Sequence, residues 1–160
     1  MSETRVPVEG ERAPQFAGTA TSGPISLADY AGKSHLILYF YPRADTPGCT
    51  RESCGFRDAK ADLTRLGAAV VGVSADDLDA QSAFATKYDL GFPLIADVGR
   101  AVIDAYGVWG ERRRPDGTST MGVRRMTFLI DREGTIRKVY PNVTPDGHAE
   151  ELARDIAALG

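Results

Sequence analysis

His35-Leu36-Ile37-Leu38-Tyr39-Phe40, followed at once by Tyr41-Pro42-Arg43-Ala44-Asp45-Thr46-Pro47-Gly48-Cys49, decides how the rest of the chain is read. The first six residues are a nearly continuous apolar run, the pattern of a strand buried on both faces of a sheet. Thr46-Pro47 reads as a helix N-cap and first helical residue. Thr favours the cap, and the fixed φ and missing N–H of Pro do no harm at the first position. Gly48 is then the second helical residue and Cys49 the third. A sulfur there lies close to unpaired backbone N–H groups and the positive end of the helix dipole. That environment favours the thiolate, the reactive form of cysteine. The stretch therefore predicts a strand, a tight loop and a helix whose first turn carries a reactive thiol.

Outward from this unit, Phe16 to Ser26 holds two short extended pieces around the turn Thr21-Ser22-Gly23-Pro24, an N-terminal β-hairpin. Leu27 to Tyr30 suits one helical turn. The Cys49 helix is expected to run to about Leu66 and stop near Gly67. Ala69–Ser74 reads as a strand, Asp77–Tyr88 as a helix with Leu78, Phe84 and Tyr88 facing inward, and Pro93–Ala96 as a short strand. Arg100–Tyr106 reads as a short helix. Met126–Ile130 and Thr135–Tyr140 flank the turn Asp131-Arg132-Glu133-Gly134. Thr144-Pro145 repeats the cap-then-proline signal and opens a last helix to about Leu159. Strands alternate with helices first, and an antiparallel pair precedes the last helix. The order predicts one α/β domain over residues 1–160, with a central mixed sheet covered by helices on both faces.

The chain has 160 residues, with 19 basic against 22 acidic side chains and a net charge of -3. That balance argues against nucleic acid or an anionic membrane as a partner. No run of about 18 apolar residues occurs. Met1-Ser2-Glu3-Thr4-Arg5 lacks the apolar stretch of a signal peptide, so a cytoplasmic location is expected. Two cysteines are too few for a disulfide scaffold or a closed zinc site, and His35 and His148 show no ligand spacing. In a reducing compartment, a cysteine pair reads as catalytic or redox-sensing.

Pro42-x-x-x-Thr46-x-x-Cys49 matches the active-site signature of the peroxiredoxins. Phe40-Tyr41-Pro42, Thr46-Pro47-Gly48-Cys49-Thr50-x-Glu52, Tyr106-Gly107-Val108-Trp109-Gly110 and Arg125-x-Thr127-Phe128-Leu129-Ile130-Asp131 resemble the peroxiredoxin Q group, also called bacterioferritin comigratory proteins. The similarity runs from about Gly10 to the C-terminus. It implies a thioredoxin-like fold and a thiol-dependent peroxidase, with no metal, haem or flavin because sulfur carries the electrons. The Cys49 thiolate would attack a hydroperoxide and become a sulfenic acid, which condenses with a thiol to give a disulfide. Many members of the group keep a second cysteine at the position of Cys54, and this chain has no third, so Cys54 is the expected resolving residue. Thioredoxin or a similar dithiol protein would reopen the disulfide.

The resemblance also selects Arg125, two residues before Thr127, as the cation that holds thiolate and peroxide. In a strand Arg124 would point to the opposite face. Thr46 caps the helix, with a hydroxyl able to bond the sulfur or the peroxide. Pro42 shapes and shields the pocket, and Gly48 leaves its backbone N–H open to an approaching oxygen. One or two of Tyr39, Phe40 and Tyr41 are expected to line the pocket. Glu52 would oppose the thiolate if close, so a structural role is expected, paired with a helix or strand arginine. Arg112-Arg113-Arg114 reads as a solvated loop tip with Trp109 packed at its base. A monomer is expected, since no long C-terminal extension carries a further cysteine. Rival readings are a redox sensor that passes oxidation to a partner, a disulfide reductase and a binding protein with inert thiols. The reductase typically uses Cys-x-x-Cys, whereas four residues separate Cys49 from Cys54.

Overall fold

Six consecutive residues, His35–Phe40, are all buried, and their side chains divide by alternation between two separate cores. Leu36, Leu38 and Phe40 enter one core, and Ile37, Tyr39 and the following Tyr41 enter the other. The computed structural model describes residues 6–113, 116–141 and 143–159, so the expectations about Met1–Arg5 and Arg114 fall outside the described residues.

The strands are β1 (Ala17–Ala20), β2 (Gly23–Ser26), β3 (His35–Phe40), β4 (Ala68–Ser74), β5 (Leu94–Ala96), β6 (Trp109–Arg113), β7 (Ser119–Val123), β8 (Met126–Ile130) and β9 (Ile136–Tyr140). The helices are α1 (Pro47–Arg65), α2 (Leu78–Lys87), α3 (Ala101–Ala105) and α4 (His148–Ala157), with a 3-10 turn at Leu27–Asp29. Seven strands form one sheet in the order β2-β1-β5-β4-β3-β8-β9. β3 runs parallel to β4 and antiparallel to β8, so the sheet is mixed. One face is covered by α1, α2 and α4 through Phe56, Leu63, Phe84, Leu152 and Ile156. The other is covered by α3 through Val102 and Ile103, together with Phe16 and Leu27. This is the thioredoxin-like arrangement, with helices on both faces and an N-terminal hairpin.

α1 begins where the cap signal puts it, with Thr46 extended at φ -101 and Pro47 first in the helix. The first helical bond runs from the Thr50 N–H to the Thr46 carbonyl at 2.8 Å. Phe56 and Leu63, two turns apart, face the core, and Gly67 in the left-handed region at φ 82 ends the helix.

Three expectations are corrected. The last helix starts at His148, because Gly147 at φ 83 is left-handed and breaks any helix opened at Pro145. Leu78 is exposed at 39%; it is the first residue of α2, and Gln81 takes the inward position. Gln81 is anchored there by the Tyr41 hydroxyl at 2.5 Å and by the Ile95 carbonyl at 2.8 Å. Arg112 and Arg113 are not loop residues: they lie in β6, which pairs with β7 as a separate two-stranded ribbon. Trp109 begins that ribbon, with the Arg100 guanidinium 4.2 Å above its ring.

Candidate active site

The loop from β3 to α1 is tied down at every second or third residue. The Tyr41 N–H donates to Val73 O at 3.1 Å, and the Ala44 N–H to Asp76 Oδ2 at 2.7 Å. Asp45 adopts a left-handed backbone at φ 59, a conformation Asp tolerates better than most residues. Its carboxylate receives Lys87 Nζ at 3.0 Å and the Tyr88 hydroxyl at 2.9 Å, both from the end of α2. Thr46 occupies the N-cap, but its hydroxyl donates to Arg43 O at 2.9 Å and makes no cap bond. The expected side-chain cap is thus replaced by a bond that closes the loop on itself. Pro42 is half-buried at the exit of β3. Asp45 and Asp76 went unnoticed in the sequence. Asp45 lies inside the signature and Asp76 well beyond it, and each depends on a partner more than thirty residues away: Lys87 and Tyr88 for the first, the Ala44 N–H for the second.

Cys49 is fully buried at the third position of α1. Arg125 Nη2 points at its sulfur from 3.2 Å. Arg125 Nη1 donates to Glu52 Oε1 at 2.7 Å. Arg125 enters from the segment leading into β8, the strand paired with β3, so adjacent strands deliver cation and thiol. Arg124 goes the other way: its Nη2 donates to Gly107 O at 3.0 Å, and its stem lies over Gly110. Opposite directions for the two arginines are what strand alternation predicts. A Cβ at Gly48 would sit 3.1 Å from Arg125 Nη2. Its missing side chain therefore gives the guanidinium room, a function beyond the open N–H expected of it.

Glu52 has 0% side-chain exposure, and its Oε2 has no hydrogen-bond partner. Burial lifts its carboxyl from 4.5 to about 7, against the opposing pull of Arg125. The expected pairing with an arginine is present. The separation from the thiol is not, because Glu52 shares the Arg125 guanidinium with Cys49.

Tyr39 and Tyr41 share the core of Cys49, with ring centroids 5.4 Å apart, while Phe40 lies on the opposite face. Tyr39 bonds Ser53 Oγ at 2.7 Å, so both hydroxyls are satisfied in the dry interior. Burial pushes both phenols well above their ordinary range. On the far side of Arg125, His148 Nε2 meets Thr127 Oγ1 at 2.9 Å and Nδ1 meets Glu151 Oε1 at 3.0 Å. An open groove of about 400 Å³, lined by Arg112, Arg124, Arg125, Val143 and Thr144 among others, leads to Arg125 from outside. Among the described residues no three His, Cys, Asp or Glu side chains gather as a metal site.

Cys54 is half-buried in the same helix, and both cysteines are free thiols. Residues five apart on an ideal helix are offset by about 7.5 Å along the axis and about 140° around it, which puts their Cα atoms about 8.6 Å apart. The arrangement brings together a thiol, a helix N-terminus, a fixed cation and a buried carboxyl, and keeps the second thiol out of bonding reach.

Residues 9–139 match the AhpC/TSA family. The Bcp protein of Coxiella burnetii is 45% identical over 144 residues, covering 89% of this chain and 94% of the relative. The structure of Xanthomonas campestris peroxiredoxin Q superposes with a TM-score of 0.85 at 30% identity, covering 96% of this chain and 97% of that one. A second Xanthomonas campestris structure, of a bacterioferritin comigratory protein described for its alkyl peroxide reduction activity, gives a TM-score of 0.85 at 29% identity, with 97% and 99% covered. With the site geometry and near-complete coverage in agreement, the chain belongs to the AhpC/TSA family and, within it, to the peroxiredoxin Q/Bcp group of thiol peroxidases.

Proposed function

We propose that Cys49 is the peroxidatic residue and Cys54 the resolving one. The observation that carries this is the 3.2 Å contact from Arg125 to a buried sulfur in the first turn of α1. Cation and helix terminus act together on the thiolate and on the charge developing on the peroxide. Sulfur attacks the terminal oxygen in line with the O–O bond. The S–O bond forms, the O–O bond breaks, and an alkoxide or hydroxide leaves with the electron pair and takes up a proton. Arg125 and the N–H groups of the first turn stabilise that charge. The Thr46 hydroxyl retains lone pairs to accept from the peroxide O–H, and Pro42 walls the pocket. Hydrogen peroxide and organic hydroperoxides are the substrates, the latter supported by the alkyl peroxide activity of the Xanthomonas relative.

The sulfenic acid condenses with the Cys54 thiol, releasing water. A disulfide needs roughly 4.4 to 6.8 Å between Cα atoms, so the first turns of α1 must open to form it. A dithiol protein such as thioredoxin then returns both thiols. The chain acts as a monomer in the cytoplasm.

Cys49→Ser abolishes peroxide consumption, and turnover like that of the wild type in this variant would end the proposal. Thiol counting and mass spectrometry after one equivalent of hydrogen peroxide should show both thiols lost without added oxygen. Steady turnover with a thioredoxin system separates this reading from a redox sensor, which stalls after one equivalent.

A further inference from the structure

The pocket holds one cation and two groups that can each become its anion. Arg125 reaches Cys49 with one nitrogen and Glu52 with the other. Among the described residues, Arg125 is the charged side chain that acts on Glu52. Tyr39, facing Glu52 from β3, is held neutral by burial. His148, across Arg125 on α4, is pulled below the ordinary histidine range by burial, although Glu151 opposes this. Two buried anions on one guanidinium would leave one of them uncompensated, which is costly in a dry site.

We propose that Cys49 and Glu52 share a single proton through the catalytic cycle, so that exactly one of them neutralises Arg125 at each stage. This rests on the peroxidatic role of Cys49. In the reduced enzyme Cys49 is the thiolate and Glu52 the neutral acid. On oxidation the S–O bond forms, the O–O bond breaks, and the leaving alkoxide takes up one proton, matched by the proton Glu52 gives up. The products are a sulfenic acid, an alcohol and a Glu52 carboxylate paired with Arg125. Disulfide formation releases water and leaves that charge in place. When an external dithiol reduces the disulfide, Cys49 returns as a thiol and passes its proton back to Glu52. The orphaned Glu52 Oε2 is consistent with this, since it is where the proton sits without disturbing the bond that Oε1 accepts from Arg125. Burial lifts the Glu52 carboxyl to about 7, within reach of both states near neutral pH. Glu52 is a positioning and charge-balancing residue here, acting through Arg125 and not on the peroxide.

The test is proton stoichiometry. In a Cys54→Ser background, which stops the reaction at the sulfenic acid, stopped-flow mixing with hydrogen peroxide in weakly buffered indicator dye reads proton uptake. Sulfenic acid is quantified in the same samples. With Glu52 present, uptake above pH 7, where the buried carboxyl can stay ionised beside the sulfenic acid, should be well under one proton per chain. Glu52→Gln should raise it to about one, because the leaving hydroxide must then draw on solvent. Equal uptake in the two proteins, with sulfenic acid formed in both, overturns the shared proton and leaves the peroxidase reading standing. Absence of sulfenic acid in the Glu52-containing protein overturns that reading and this proposal with it. If Glu52→Gln does not fold, the Glu52 carboxyl is followed by carbon NMR in the native enzyme and in Cys49→Ser. Removing the thiolate should move its titration to lower pH, and an unchanged titration overturns the proposal.

Discussion

Arg125 and Arg124 are neighbours in sequence and opposites in the molecule, which makes them a sharp pair of substitutions. Arg125→Ala removes the cation at 3.2 Å from the sulfur and should slow oxidation of Cys49 by roughly a hundredfold or more, the scale of losing a preorganised charge donor. Arg124→Ala cuts a bond to the Gly107 carbonyl and should leave that rate within about twofold, since the site keeps its donor. Stopped-flow fluorescence of Trp109, the single tryptophan, reads both. Equal losses would show that the assignment is wrong. Glu52 makes a second prediction at this scale. Its proton is held more tightly folded than unfolded, from 4.5 to about 7. The stability this confers is fully present below 4.5 and is lost as pH rises through 7. The difference is about 3 kcal/mol. Denaturant unfolding should therefore show Glu52→Gln gaining on the wild type by up to that amount from acid to neutral pH. Strand alternation made the opposite directions of the two arginines legible in the sequence, while the resemblance pointed to Arg125. That residues three apart share a helix face was legible too, but the repulsion expected between like charges kept Glu52 apart from the thiol in the sequence reading. The burial of Glu52 was not, because that depends on α4 and β8 closing over it.

At the scale of the element, the proposed Cys49–Cys54 disulfide requires α1 both to hold Cys49 in its pocket and to release it. A disulfide between residues in positions 3 and 8 of an intact helix is geometrically excluded. Oxidation should raise amide exchange over residues 46–58 and lower the helical signal, whereas in Cys54→Ser the helix should stay closed. A disulfide form with α1 intact from Pro47 to Phe56 would refute this. The left-handed Asp45 holds the loop before α1 to Lys87 and Tyr88 on α2. Asp45→Ala loses both contacts and keeps the unfavourable φ, so it should destabilise the reduced protein and open the first turn sooner. Mass-spectrometric timing of the disulfide checks this. The cap-then-proline signal at Thr46-Pro47 located a helix start to the residue. The same signal at Thr144-Pro145 did not, because Gly147 two residues later is left-handed. The ribbon of β6 and β7 was hidden by composition: Arg112 and Arg113 read as solvent-facing, and the facing glycines Gly110 and Gly122 carry no strand signal.

Across the whole molecule, β3 is the axis on which both cores depend, and its apolar run told as much. Leu38→Ala empties a fully buried site and should cost about 2–5 kcal/mol in unfolding free energy. Gly72, opposite Tyr39 in the register, has a different constraint. A Cβ there would lie 2.9 Å from the Tyr39 hydroxyl oxygen and 2.8 Å from Leu94 Cδ2. Gly72→Ala should destabilise by about 1–3 kcal/mol through overpacking, measured by the same unfolding. The seven-stranded sheet also settles which part of the site travels. Cys49 rides on a helix that can unwind, while Arg125 is fastened to the sheet beside β3. If Cys54 resolves an oxidised Cys49 as proposed, the nucleophile leaves and its counter-charge stays at its post, so the reduced enzyme resets by rewinding a turn or two of helix onto a ready-made berth. Helix winding takes on the order of a microsecond or less. On that reading, rewinding the site is not expected to be the slow step of the cycle.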